Sequence, residues 1–453
     1  MSIMNNNLDL RVGISNKQIL KLALPISASI VVPQLNFIIN NIFLGTISQQ
    51  ALAVAGITGV FYLIFAVIGN GFNTGLQSLI ARKAGKNEVG AIASLLSQGV
   101  SISMIASTIG IIFTLFFAPS ILKATLNDES NIQMAISFLR IRIWGLPLLY
   151  LYQLRNALLV GVNQSKYLIV GTAAEAITNV FFDYVLIYGK FGFPELGFLG
   201  AAYASIIAEA AGLMSIFIVV KNNEILKQIT YLNKWKLNIE EIKQILKQSL
   251  PLVIQFAISI ISWEFFYILI EHHGQRDLAV SNTMRNIFGF FGCFTWAFAS
   301  TTNSMVSNVI GQGLQEKVIE LIYKIIKLSL LFSVSVCILL NVFPHLFLSI
   351  YAQDEAFITA AIPVLRIISV GLIIMSVSVV WSNAVIATGN TKVNLQIEAV
   401  TIILYCVYVY VVLEVLFWSI TWGWASELIY WSSLLIPSYW YMKKGKWKTK
   451  TIN

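Results

Sequence analysis

Twelve apolar stretches, most of twenty residues or more, dominate the chain and fix what it can become. They lie near 20–44, 52–80, 91–118, 132–160, 166–189, 197–221, 245–271, 278–309, 319–343, 356–387, 393–417 and 419–442. A helix rising 1.5 Å per residue needs about 20 apolar residues to cross a hydrocarbon core about 30 Å thick. Each stretch is therefore a candidate transmembrane helix, and those above thirty residues call for tilt or kinks. Composition agrees: 57% of the 453 residues are hydrophobic and 11% charged, against roughly 25% charged in soluble domains. The expected class is an all-α polytopic membrane protein with twelve transmembrane helices.

A net charge of +9 invites a nucleic-acid reading, but the placement of the basic residues argues otherwise. Of the 30 Lys and Arg, 22 fall on one side of a twelve-span arrangement, among them Arg82, Lys83, Lys86, Lys234, Lys317, Lys443 and Lys450. Only Lys123, Lys190 and Arg276 fall on the other side, and Arg140, Arg142, Arg155, Arg285 and Arg366 lie within spans. This is the positive-inside asymmetry, which places both termini in the cytoplasm of a plasma (inner) membrane protein. The first seventeen residues are polar, and the span after them lacks a leader's cleavage pattern, so the first helix is expected to remain. Cys293, Cys337 and Cys406 lie far apart in apolar runs and read as small hydrophobes.

Self-comparison reveals a duplication. LALPIS at 22–27 matches QSLPLV at 248–253, pairing Pro25 with Pro251, and ALAVAG at 51–56 matches DLAVSN at 277–282. RNALLVGVN at 155–163 pairs with SNAVIATGN at 382–390. Six spans per repeat, an even number, give two six-helix bundles related by a pseudo-two-fold axis along the bilayer normal. The domains expected are a first lobe over 1–221, a linker over 222–243 and a second lobe over 244–453. The linker mixes basic, acidic and apolar residues at helical spacing, which suits a helix on the membrane surface. Pro25 and Pro251 open the first helix of each repeat; each either starts its helix or kinks it as a gate.

Ionised side chains within spans cost about 2.5–3.5 kcal/mol on insertion scales, so they belong at a bundle interior or a watery cavity. In AEAITNVFFDYVLIYG, residues 174–189, the four-residue spacing puts Glu175, Asn179 and Asp183 on one stripe of a helix. In the second repeat Glu264 and Arg285 fall at one depth on adjacent antiparallel spans, and are expected to pair. Arg140 or Arg142 is expected to neutralise Glu175 or Asp183. Glu209, Glu398 and Glu427 also lie in spans without a spacing that selects a role. GNGFNTG at 69–75 lies inside a span and reads as close helix packing. There is no G-x-x-x-x-G-K-[ST] and no nucleophile beside a base, so the sequence points to an ion-driven transporter and not to an enzyme.

These features together resemble the multidrug and toxic compound extrusion family. The resemblance rests on LALPIS with the following FLG, ALAVAGI, GLQSLIARKAGKN and NQSK, in order, and on their counterparts in the second half. It implies two six-helix lobes that alternate between outward-open and inward-open forms, exporting small, often cationic organic compounds against sodium or protons, with no other cofactor and no nucleic acid, as a monomer in the lipid bilayer. A lipid-linked oligosaccharide flippase of the same superfamily is the alternative, and an intramembrane enzyme a more distant one. The family's first-lobe cation site corresponds here to Asn179 and Asp183, tentative sodium ligands, with the hydroxyl of Ser205. Where the family carries an aspartate on the first span, this chain has Asn40, which can ligate sodium but takes up no proton at neutral pH. Coupling then falls to Asp183, with Glu175 in reserve, or to Glu264 in the second lobe. Gln34, Asn36, Tyr150, Tyr152, Asn156, Arg285 and Asn383 are expected along the substrate path.

Overall fold

The computed structural model describes residues 9–231, 236–351 and 354–448; residues 232–235 of the expected linker, with Lys234, and the tail containing Lys450 lie outside them. Among the described residues every regular element is helical. The helices are α1 Asn16–Ile47, α2 Gln49–Gly85, α3 Val89–Thr125, α4 Glu129–Arg142, α5 Leu146–Gly161, α6 Leu168–Tyr188, α7 Phe198–Asn222, α8 Glu224–Tyr231, α9 Ile239–Glu271, α10 Gln275–Gly311, α11 Val318–Val342, α12 Pro344–Leu348, α13 Glu355–Ala387, α14 Thr391–Tyr410, α15 Ile420–Trp424 and α16 Ser426–Lys444. A short 3-10 turn, Ile143–Gly145, joins α4 to α5 into one membrane-length rod.

Ten of these segments are long and apolar enough to cross a membrane. The other two expected spans fall on α10, whose second half carries the polar run ASTTNSMVSN, and on α15 with α16. Phe116 and Ile177 are 73% and 70% exposed, an arrangement that water would penalise and lipid favours. This is an integral membrane protein with the expected twelve-helix architecture.

Short polar residues set the helix ends. Ser48 caps α2 by accepting from the Ala51 amide at 2.9 Å, Asp128 caps α4, and Asp354 caps α13. Gly189 ends α6 in the left-handed region, φ 63°, where a side chain would be strained. In the α2–α3 turn Lys83 donates to Glu88 at 2.8 Å, and this bond, assisted by Lys86, holds the Glu88 carboxyl below the usual range.

Contacts group Met1–Leu10 with Ala28–Ser249 in one unit, and Arg11–Ser27 with Leu250–Asn453 in a second. The boundaries fall beside Pro25 and Pro251, the prolines paired by the repeat, and both prolines lie well inside their helices, which excludes the helix-start reading. The linker reading ends at 243, whereas α9 already begins at Ile239 and remains with the first unit to Ser249. Side-chain amides hold the N-terminal segment in each unit. Asn87 and Asn163 bond the Leu10 amide and carbonyl, both at 2.9 Å; Asn308 and Gln312 do the same for Val12 at 3.1 and 3.0 Å. Within the second unit Val12, Ile19 and Leu22 are buried in the core with Phe266, Ile322 and Trp381.

Candidate functional site

In the first unit α1 and α6 meet along a polar seam. The Asn36 amide donates to Asn179 Oδ1 at 2.6 Å, and near the ends of both helices the Thr46 hydroxyl bonds that of Tyr188. Asn40 follows Asn36 by four residues on α1, and Asp183 follows Asn179 by four on α6, so each lies on the helix stripe that carries its member of the bonded pair. Asp183 is fully buried, and neither carboxylate oxygen has a hydrogen-bond partner among the described residues. Asn36 Oδ1 and Asn40 Oδ1 are likewise buried without partners. Four unsatisfied oxygens along one seam are a costly arrangement for a structural core and a suitable one for a cation. The Ser205 hydroxyl bonds its own helix at Ala201, 2.9 Å away. The close fit of α6 to α7 depends on Gly200, where a Cβ would lie 2.7 Å from the Leu186 carbonyl oxygen.

Arg142 takes neither of its expected partners. It makes a two-pronged bond to Glu209 of α7, at 3.1 and 2.5 Å, and its guanidinium lies 3.9 Å above the Tyr62 ring. Glu175 is half-buried nearby and feels the charges of both Glu209 and Arg142. Arg140 is exposed. The sequence named all four groups but did not bring Glu209 to Arg142, because a contact between α4 and α7 leaves no trace in local spacing.

Of the expected path residues, Tyr150 lines a small cavity with Gly69, Asn73, Ser103 and Gln153, its hydroxyl donating to the Phe65 carbonyl at 3.0 Å. Gly69 is the close-packing position anticipated for GNGFNTG: a Cβ there would meet Gln153 Oε1. Tyr152 instead faces Thr172, 3.0 Å away. Asn156 keeps a buried oxygen without a partner, Gln34 is exposed, and Asn383 bonds its own helix at Val379.

In the second unit the expected Glu264 to Arg285 pair does not form. Both side chains are exposed, and Arg285 lies over the Tyr267 ring, 5.0 Å from its centre. Depth along two helices fixes height but not azimuth, and Tyr267, one turn beyond Glu264, is the group that α10 faces. The carboxylates buried in this unit are Glu398 and Glu427. Glu427 accepts from the Trp431 indole at 2.9 Å. Glu398 accepts from Ser259 at 2.8 Å, from Gln255 at 3.3 Å and from the Tyr430 hydroxyl. The network extends through Asn394, which donates to Gln255 at 2.7 Å, to Ser382 at 3.0 Å.

The MatE family profile matches residues 25–185 and again 251–411. The chain belongs to the MatE family. Both matches begin at the paired prolines, and both ends are offset alike (251 − 25 = 226; 411 − 185 = 226), which is the duplication seen in the sequence. MatE relatives include the probable multidrug resistance protein NorM of Thermotoga maritima, 25% identical over 394 residues that cover 85% of this chain and 83% of that protein. The probable multidrug resistance protein YoeA of Bacillus subtilis is 24% identical over 311 residues, 67% of this chain and 66% of its own. Among solved structures, an outward-facing multidrug resistance MATE transporter superposes with a TM-score of 0.88 at 18% identity, covering 97% of this chain and 98% of its own. A MOP superfamily transporter from Pyrococcus furiosus, described as having a binding pocket of reversed polarity, gives 0.88 at 18% over 99% of both chains. These likenesses establish the MATE fold, and the family's members are membrane transporters.

Proposed function

We propose that this MatE protein is a secondary antiporter that exports organic, often cationic, compounds in exchange for sodium or protons by alternating access. It acts as a monomer in the inner membrane with both termini in the cytoplasm. The observation that carries the reading is Asp183, a fully buried carboxylate whose two oxygens meet no donor among the described residues, with further unpartnered oxygens at Asn36 and Asn40 of α1, the helix bonded to α6 through Asn179. An acid in that setting is costly unless a cation visits it. In the outward-facing form sodium or a proton binds Asp183; neutralising the charge removes the desolvation penalty of closing the seam, and bound compound is displaced. Release of the ion on the inner side restores a negative cavity that attracts the next organic cation.

Glu175 lies on the same stripe and is the second acid of that cavity, with Asn156 and Tyr150 as polar groups along the route. The names of the Thermotoga and Bacillus relatives support a drug-like cargo. Ethidium efflux from proteoliposomes under separately imposed sodium and pH gradients tests the proposal. Asp183→Asn is expected to abolish gradient-driven efflux while the protein stays folded; undiminished coupled efflux in that variant eliminates Asp183 as the coupling group.

A further inference from the structure

We propose that Glu398 is a proton-carrying group in the second unit, loaded and emptied within a shell of neutral hydrogen-bonding partners. It stands on α14, roughly 10 Å from the helix start at 1.5 Å per residue, and is 1% exposed. Its surroundings differ in kind from those of Asp183, so its existence does not depend on the role given to that residue.

Ser259 lies between Glu398 and the backbone of α9. Its hydroxyl has one hydrogen and two close acceptors, Glu398 Oε1 at 2.8 Å and its own helix's Gln255 carbonyl at 2.9 Å. When Glu398 is ionised, Ser259 donates to the carboxylate. When Glu398 is protonated, the acid hydrogen on Oε1 is donated to Ser259 Oγ, and the serine hydrogen turns to the Gln255 carbonyl. Both states are hydrogen-bonded without displacement of a heavy atom. The Gln255 amide, steered by Asn394 on its other side, donates to Oε2 in either state.

Among the described residues, no ammonium or guanidinium bonds to a member of this network. The groups that face Glu398 from α9 are Gln255 and Ser259, and α13 contributes Ser382 through Asn394; all are neutral. From α16 comes the Tyr430 phenol, which also feels Glu427 on the same helix, and behind it stands the Tyr405 ring at 5.8 Å. A permanently ionised Glu398 would be an uncompensated buried charge, whereas a permanently neutral one would need no third donor. A metal ion fits poorly, since the atoms turned towards the carboxylate are donors and the Gln255 oxygen is already taken by Asn394. Loading is the transfer of a proton from hydronium to the carboxylate, giving acid and water; emptying is the reverse, when the cluster opens to water.

Glu398→Gln provides the test because it copies the loaded state. With the amide oxygen towards Gln255 and its NH2 donating to the Ser259 and Tyr430 hydroxyl oxygens, the same heavy atoms stay in contact and only the Tyr430 hydroxyl turns from donor to acceptor, so the fold is expected to survive. Infrared difference spectra of the full chain in liposomes, recorded between about pH 5 and 9, should show a titrating protonated-carboxyl band that Glu398→Gln removes and Asp183→Asn leaves in place. Ser259→Ala and Tyr430→Phe should move the position and midpoint of that band. Ethidium efflux driven by an imposed pH gradient should fall several-fold in Glu398→Gln. A pH-difference spectrum unchanged by Glu398→Gln, or undiminished pH-driven efflux in that variant, overturns the proposal.

Discussion

Glu209 in the first unit and Glu398 in the second are both glutamates sealed inside a bundle of apolar helices, yet they are satisfied in opposite ways. Glu209 is held by the Arg142 guanidinium in a two-pronged bond backed by the Tyr62 ring. Glu398 is held by a serine, an amide and a phenol. A guanidinium keeps its proton at any accessible pH and pins its partner as a carboxylate. Neutral donors accept either form of the acid. Burial therefore does not by itself say whether an intramembrane acid toggles; the charge state of what surrounds it does. Asp183 is the third case, buried with no donor on either oxygen, and so the one that most needs a visiting cation.

The largest expected effect tests the pinned acid. Arg142→Met and Glu209→Gln should each destabilise the first unit by about 3–5 kcal/mol, because each leaves one charge buried without its opposite. The double variant should recover much of that loss, since removing both charges removes both desolvation penalties. Thermal unfolding of the four proteins in one detergent gives the double-mutant cycle. Additive losses would mean that the two groups do not act as a pair and would erase the contrast with Glu398.

The contrast also marks what was legible in the chain. Spans, the duplication and the stripe of Glu175, Asn179 and Asp183 follow from periodicities of one helix or from self-similarity, and both survive in a linear sequence. The facing of Asn36 and Asn179 was half legible: both residues were named, but for different roles. Arg142 with Glu209 was hidden because a contact between α4 and α7 depends on how rods turn about their axes. The same ignorance of azimuth produced the expected pair of Glu264 with Arg285, which share a depth but not a face. The shell of Glu398 was hidden for another reason. Its members are Gln, Ser and Tyr, common residues whose meaning appears only when three helices bring them to one carboxylate.

The next effect is smaller. Glu398→Gln should cost no more than about 1.5 kcal/mol, the net worth of an ordinary hydrogen bond, because the amide keeps the neighbours of the neutral acid and reverses only the Tyr430 bond. The same unfolding assay applies. A loss as large as that of Glu209→Gln would show that Glu398 is an ionised structural anchor and would collapse the distinction between the two acids.

The smallest effect separates ion pairing from burial. Lys83 and Glu88 form a 2.8 Å ion pair in the exposed turn between α2 and α3, where water screens both charges. Glu88→Gln should therefore cost only about 0.2–1 kcal/mol, well below Glu209→Gln, although the bonded atoms are of the same chemical type. Its pH dependence has a definite sign. The hydrogen bond from Lys83 lowers the Glu88 carboxyl in the folded protein, so the contribution is present above the carboxyl's unfolded-state value. It disappears as pH falls through the folded one. The difference in unfolding midpoint between the wild type and Glu88→Gln should accordingly shrink on acidification and in high salt. A difference that persists in acid would assign the turn's stability to packing, and one that rivals Glu209→Gln would show that burial is not what makes the Arg142 pair strong.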